Sequence, residues 1–326
     1  MIKNVAIVAG GDTSEWEVSL RSAEGIKNFL SGTPYELYEV IVRGSHWYCE
    51  KDGKQYDVDK NDFSILMGKN KIKFDFAYII IHGHPGEDGC LQGYLEMMNI
   101  PYSTCDVLTS SLTYNKYACK EFLKSKEICL AKSVLISGED TGTERIKREV
   151  GFPCFVKPNV GGSSFGVTKV KEEKDLQEAI QTAKKECEEV LVEEYIAGTE
   201  ISCGFCRIGE KIDVFPILEI VSETEFFDYE AKYNGKSQEI IPARISNNLT
   251  ERVKELTKNV ALWMNLKYIA RVDYIIKGED IYLLEVNTTP GMTAASIIPK
   301  QIKAFGKEVK EYLVAIIEDA SKRKNA

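Results

Sequence analysis

The sequence predicts an α/β protein: an N-terminal domain built on a parallel sheet, followed by a second half in two parts. Three observations carry this. Short apolar strand segments alternate with helical segments through the first third, the pattern of a parallel sheet covered on both faces. The alternation resumes after Cys105. The last third contains "YIARVDYIIKGEDIYLLEVN", Tyr268 to Asn287, whose period-2 alternation around Gly278 marks a hairpin. With 326 residues the chain has room for two or three packed domains, which we place at 1–104, 105–196 and 197–326.

Taken in order, "NVAIVA" reads as a buried strand and Gly10-Gly11 as a turn. Ser14-Glu15-Trp16-Glu17 fits a capping box that opens a helix to about Leu30. "FAYIIIH" is a second buried strand, followed by the Gly-rich loop "GHPGEDG" and a helix near Leu91–Met98. In the middle section "LTYNKYACKEFLKSK" has helical spacing. "FPCFVKP" and "VLVEEYI" read as strands and "LQEAIQTAKKECEE" as a helix. The last section predicts strands at Glu200–Arg207 and Ile212–Val221 and a polar loop at 226–239. It then predicts helices near Glu251–Leu262 and Glu308–Ala320, and a frayed "SKRKNA" end.

Composition excludes several classes. Apolar content of 44% and charge of 28% are ordinary for a globular protein, and a net charge of −8 argues against non-specific nucleic-acid binding. The apolar run Val5–Ala9 is too short for a signal peptide or a membrane span, so no membrane partner is expected. Nine scattered cysteines read as reduced thiols of a cytoplasmic protein. Cys203-Gly-Phe-Cys206 has C-x-x-C spacing but sits in strand-like sequence, where positions three apart face opposite ways. No second pair exists to complete a zinc site.

The hairpin carries the chemistry. A three-residue loop, Gly278 to Asp280, sets Lys277 opposite Ile281, Asp273 opposite Glu285 and Arg271 opposite Asn287. Arg271, Asp273, Glu285 and Asn287 then share one face, with Val272, Tyr274, Ile276, Tyr282, Leu284 and Val286 on the other. Opposed carboxylates repel unless a cation lies between them. The donors are all oxygens, which favours Mg²⁺ or Ca²⁺ over Zn²⁺. A solvated face with incidental charges is the alternative. "KPNVGGSSFG" is the second signal. Lys157 ends a strand, and Gly161, Gly162 and Gly166 surround Ser163-Ser164, so backbone N–H groups and hydroxyls are available to an anion. Beside a metal hairpin, a lid over ATP phosphates is the better reading than a mobile surface loop. His82 ends a strand and, taken alone, is more often structural than catalytic.

These residues occur in seven ordered motifs: "GGDTSEWEVSLRS", "HGHPGEDGCLQGYLEMMNIPY", "KPNVGGSSFGV", "EEYIAGTEIS", "FFDYEAKY", "ARVDY" and "LLEVNTTPGMTAAS". Over nearly its whole length the chain resembles D-alanine–D-alanine ligases of the ATP-grasp superfamily. The resemblance implies a two-part ATP-grasp fold behind the N-terminal substrate domain, with 105–196 as its central and 197–326 as its C-terminal, metal-binding subdomain. It implies ATP and D-alanine as substrates, two Mg²⁺ ions (or Mn²⁺) on Asp273, Glu285 and Asn287, and a homodimer. Lys116, Lys157 and Ser164 would contact phosphates, Glu193, Glu194, Tyr195 and Ile196 would line the adenine pocket, and Glu200 would hold the ribose. Glu15 would receive the first D-alanine's ammonium, with His82 near its carboxylate. Ser163 and Tyr233 would link to Glu15 in closing the lid, and Lys232 would reach the transferred phosphoryl group. Arg271 and the Gly291 N–H would stabilise the oxyanion, and Ser296 would help bind the second D-alanine. "EAKY" retains Lys232 and Tyr233, which favours a dipeptide over D-alanyl-D-lactate. Trp16, the His84-Pro85 pair and Phe165 depart from the expected pattern.

Overall fold

The computed structural model describes residues 3–138, 142–222 and 237–322, which build three sheets. The first domain comprises β1 (Asn4–Gly10), α1 (Trp16–Phe29), β2 (Glu36–Arg43), β3 (His46–Lys51), β4 (Lys54–Asp59), β5 (Ser64–Met67), β6 (Asn70–Lys73), β7 (Phe76–Ile79) and α2 (Cys90–Met97). Its sheet runs β6-β5-β4-β3-β2-β1-β7. The parallel pairing expected from the sequence holds for β2-β1-β7. The other four strands form an antiparallel meander, β3 to β6, on one side. Those strands are short and half-exposed, and the outermost carries Lys71 and Lys73, charges that blunt an edge.

Helix α1 has Glu15, not Ser14, at its N-cap, and no side chain caps it. The Ser14 hydroxyl instead donates to Glu186, 172 residues away, at 2.9 Å. That partner lies in the second part of the chain and outcompetes a local cap. One face of α1, with Ala23 and Ile26, packs on β1 and β7. Gly25 faces elsewhere. A Cβ there would lie 2.2 Å from the Met292 carbonyl oxygen, so glycine lets α1 lie directly against the turn that follows the predicted hairpin.

The middle of the chain holds α3 (Val107–Tyr114), α4 (Lys116–Leu123), β8 (Cys129–Leu130), β9 (Ser133–Ile136), α5 (Thr143–Glu149), β10 (Cys154–Pro158), β11 (Thr168–Val170), α6 (Leu176–Lys184) and β12 (Val190–Glu194). The single helix read at 112–126 is two. Asn115 adopts extended backbone, ends α3, and accepts the Ala118 N–H to cap α4. The second sheet, β11-β10-β12-β9, is antiparallel throughout and packs on α6.

The third sheet runs β16-β15-β13-β17-β18-β8, from β13 (Thr199–Ile208), β14 (Lys211–Val214), β15 (Leu218–Ser222), β16 (Ser237–Ile240), β17 (Tyr268–Lys277) and β18 (Asp280–Asn287), with β14 also on β13. The strand read at 212–221 is therefore two. α7 (Asn247–Trp263) covers one face of this sheet, and Cys119 and Leu123 of α4 join the same core. α8 (Ile297–Ala304) and α9 (Val309–Lys322) pack between this sheet and α1. Cys203 and Cys206 lie in different cores, on the two faces of β13, as their spacing in a strand requires. All nine cysteines are free thiols. Ser321 and Lys322 complete α9, and the rest of the terminal basic segment lies outside the described residues. Among the described residues no helix is long and apolar enough to cross a membrane.

Candidate active site

The hairpin β17–β18 turns in two residues, not three. Lys277 pairs with Asp280, and Gly278 at φ +62 supplies the left-handed turn position. With this register alone, Asp273 would face Leu284. A bulge between Asp273 and Tyr274 adds one residue on β18 and restores the pairs Asp273–Glu285 and Arg271–Asn287. It also exchanges residues between faces below it. Ile281 and Leu283 enter the core, where Tyr282 and Leu284 were expected. Leu284 joins Ile275 in lining a cavity.

The opposed acids are served by a cation of the chain's own. Arg271 forks onto Asp273, with Nε to Oδ1 at 2.9 Å and Nη2 to Oδ2 at 2.8 Å, and stands 4.0 Å from Glu285. The Ser202 hydroxyl donates to Asp273 at 2.7 Å. Asn287 Oδ1 accepts the Thr289 N–H, which fixes the start of the Thr-Thr-Pro-Gly turn.

The loop after β10 reaches across to the first domain. Ser163 and Ser164 both have positive φ, +48 and +61, an unfavourable region for residues with a side chain. The Ser163 hydroxyl donates to Glu15 Oε1 at 2.5 Å. Gly162 lies so close beneath that a Cβ would be 2.7 Å from Glu15 Oε2. Asn159, fully buried, ties the base of this loop to α4: its Oδ1 accepts the Tyr117 N–H and its amide donates to Asn115 and Glu189. Lys116, first residue of α4, is thereby set beside the loop and donates to the Gly161 carbonyl at 2.5 Å. Burial lowers its pKa, against the pull of Glu285, and Lys157 lowers it further.

Glu193 on β12 sits between two lysines, Lys157 from the neighbouring β10 and Lys120 from α4, in a buried triad. Burial alone would raise this carboxyl. The two cations, Lys157 ahead of Lys120, outweigh it and hold it at about 2. Across the site, His82 is buried, its ring 3.5 Å from the Ser22 hydroxyl. Desolvation pulls its pKa down, more than the nearby Glu15 raises it. Glu87 accepts the Gly83 N–H at 2.7 Å, and burial together with the Glu15 charge pushes its carboxyl up to about 8.

Two cavities adjoin along these residues. The larger, about 390 Å³, is lined by Glu15, His82, Glu87, Asn287, Gly291 and Ser296, among others. The smaller, about 170 Å³, is lined by Lys157, Ser164, Glu193, Glu194, Ile196, Glu200 and Asp273. Lys116, Ser163, Arg271 and Glu285 border both. Opposed carboxylates therefore stand at a junction between a cleft that also holds Lys157 and a chamber that reaches Glu15. Gly291 is close-packed, a Cβ there falling 3.1 Å from the Ser296 hydroxyl, which itself accepts the Thr293 N–H. Of the residues singled out in the sequence, Tyr195 turns away: its ring meets Phe155 and lies under the Lys169 ammonium, 3.9 Å from the centroid. Lys232 and Tyr233 lie outside the described residues.

Sequence reasoning passed over Lys120, Glu87 and Ser202. Lys120 stands four residues after Lys116, on the same helical face, so a search for lysines at that spacing would have found it. Glu87 was inside a quoted motif without an assigned role. Ser202 gives no signal before β13 is registered against β17.

Two family models divide the chain between them. Residues 4–105 match "D-ala D-ala ligase N-terminus" and residues 123–318 match "D-ala D-ala ligase C-terminus". The chain belongs to the D-alanine–D-alanine ligase family. It is 52% identical over 322 residues to a D-alanine–D-alanine ligase of Bacteroides fragilis strain YCH46, an alignment covering 98% of this chain and 99% of that protein. Among solved structures it resembles D-alanyl-alanine synthetase A from Vibrio cholerae (TM-score 0.88, 29% identity, 99% and 100% of the two chains covered). It also resembles the D-alanine–D-alanine ligase from Bacillus anthracis complexed with ATP (TM-score 0.77, 31% identity, 98% and 97% covered). The fold, a mixed α/β sheet domain followed by ATP-grasp sheets, agrees with these.

Proposed function

We propose that the junction between the two cavities is where ATP and D-alanine meet. The chain is an ATP-dependent D-alanine–D-alanine ligase, which places it in peptidoglycan precursor synthesis. The observation that carries the site assignment is the shared wall of Lys116, Ser163, Arg271 and Glu285 between the cleft of Lys157 and the chamber of Glu15. Adenosine would lie in the smaller cleft against Ile196, Leu284, Glu193 and Glu194, with Glu200 at the ribose. Lys116, Lys157 and Ser164 would face the phosphates, joined by Lys232 from the segment outside the described residues. Two D-alanine molecules would occupy the larger chamber, one with its ammonium on Glu15 and its carboxylate near His82, the other beside Ser296.

Asp273, Glu285 and Asn287 would hold two Mg²⁺ ions, or Mn²⁺. Their donors are all oxygens and two are facing carboxylates, which suits a hard ion. When bound, such ions would neutralise charge on the phosphoryl oxygens. The chain's own residues do the rest. Lys116, largely desolvated, presents a charge at the junction where the γ-phosphate must pass to the first D-alanine carboxylate, giving an acyl phosphate and ADP. Arg271, its guanidinium held in place by the fork onto Asp273, and the Gly291 N–H would face the carbon that the second amine attacks before phosphate leaves. The Ser163–Glu15 bond, which the resemblance implies Tyr233 would join, would close the chamber against water, which would hydrolyse the acyl phosphate. The working units would be 1–104, 105–196 and 197–326, in a cytoplasmic homodimer.

Incubation with ATP, Mg²⁺ and D-alanine should release ADP and phosphate and form the dipeptide, and L-alanine should not replace it. Folded protein that releases no D-alanine-dependent phosphate would sink this reading. A panel of second substrates separates dipeptide from ester synthesis, and a preference for D-lactate would overturn the role given to Tyr233.

A further inference from the structure

The loop between β7 and α2, with Cys90 at the start of α2, carries a solvent-exposed cluster that lines neither cavity. His84, Asp88 and Cys90 each offer one ligand atom, and these atoms all lie within 4.8 Å of one another. His84 Nδ1 is 2.5 Å from Asp88 Oδ2, while Asp88 Oδ1 accepts the Cys90 N–H at 3.1 Å. The backbone that presents them is fixed from several directions. The N–H groups of Gly86 and Glu87 donate to the Gly83 carbonyl, and that of Leu91 to the Pro85 carbonyl. The Asp12 N–H donates to the His84 carbonyl, and the Ser111 hydroxyl to the Asp88 carbonyl.

We propose that His84, Asp88 and Cys90 form a second metal site, chemically distinct from the oxygen-only hairpin and selective for a borderline-soft divalent cation of the Zn²⁺ class. Imidazole nitrogen, carboxylate oxygen and thiolate sulfur are the three ligand types that Zn²⁺ prefers, whereas Mg²⁺ avoids sulfur. Two ligands each about 2 Å from one tetrahedral ion stand roughly 3.3 Å apart. The His84–Asp88 pair therefore has to open by less than about 1 Å, which the exposed His84 ring is free to do. Water completes the fourth position, since the cluster faces solvent. Binding would release the Cys90 thiol proton to solvent, because the thiolate is the form that ligates a metal. Occupancy would staple His84 to Cys90 and stiffen the segment that carries His82 and Glu87 into the larger cavity.

The test uses reduced, chelator-stripped, full-length protein with Co²⁺ as the probe, in saturating Mg²⁺ so that the hairpin oxygens are occupied. One equivalent of Co²⁺ should give a thiolate-to-metal charge-transfer band in the near ultraviolet and intense visible bands of four-coordinate Co²⁺, both abolished by Zn²⁺. Cys90→Ser should remove the charge-transfer band. His84→Gln and Asp88→Asn should each weaken binding at least about tenfold. His84 and Cys90 are exposed and Asp88 is half-buried, and unchanged circular dichroism checks that the variants are folded. No charge-transfer band at millimolar Co²⁺, or a band that survives in Cys90→Ser, overturns the proposal.

Discussion

The Ser163 hydroxyl donates to the carboxylate of Glu15, 148 residues earlier, and so ties the loop after β10 to the first turn of α1. The bond holds a serine at φ +48, a backbone state that side chains resist. Two substitutions separate its contributions. Ser163→Ala removes the bond and keeps the strain, whereas Ser163→Gly removes both. Both variants should lose about 10- to 100-fold in kcat/KM for D-alanine, equivalent to about 1.4–2.8 kcal/mol, as judged by phosphate release. Ser163→Gly should nevertheless melt higher than Ser163→Ala. Equal D-alanine kinetics in wild type and both variants would show that the latch has no part in turnover.

Glu285 should be more valuable to activity than to stability. Replacing it by Gln removes the repulsion across the hairpin from Asp273. Glu285→Gln should therefore melt, without added metal, at or above the wild-type temperature. Its turnover at saturating Mg²⁺ should fall by about 100-fold or more, since a ligand of the ions is gone. Near-wild-type turnover would remove Glu285 from the metal set.

The buried triad of Lys120, Glu193 and Lys157 calls for a double-mutant cycle. Lys120→Met leaves Glu193 with one cation in place of two. It should cost roughly 3 kcal/mol by denaturant unfolding, the scale of a broken buried ion pair. Its KM for ATP should rise, because Glu193 then holds Lys157 more closely. Adding Glu193→Gln should recover part of the lost stability. Strictly additive losses would mean that the two side chains act independently.

Glu87 links stability to pH. In the unfolded chain its proton leaves near 4.5, in the fold at about 8. Between those values only the folded state holds the proton, so this group's contribution is full below 4.5 and is lost as pH rises through about 8. Glu87→Gln keeps a neutral side chain that can still accept the Gly83 N–H. Its melting temperature should therefore fall less than the wild type's between about pH 5 and pH 8. Identical slopes for the two proteins would place an ionised carboxylate at this position throughout.

The sequence made the central face of the hairpin legible because strand alternation is strict and four polar residues interrupt it at even spacing. It did not make the turn legible. Gly278-Glu279-Asp280 suits a two- or three-residue loop, and the choice is settled by the bulge that returns Asp273 to Glu285. The meander β3–β6 was missed because its strands are four to six residues long and mostly half-exposed, so their alternation is weak. The false capping box at Ser14 and the unbroken helix at 112–126 share another cause. Each followed a local pattern that a distant partner, Glu186 or Asn159, overrides. Long-range contacts also explain Lys120, whose acidic partner is 73 residues away.

The extra residue at Leu284 separates the tip of the hairpin from the four side chains at its base. A lineage that lengthened the turn by one position and deleted one from the outgoing strand would display the same quartet in the same order. Alignments that treat such gaps as damage would misjudge these variants. Length changes at this tip should be tolerated in compensating pairs, while a single unpaired gain or loss would exchange the chemical face for the greasy one.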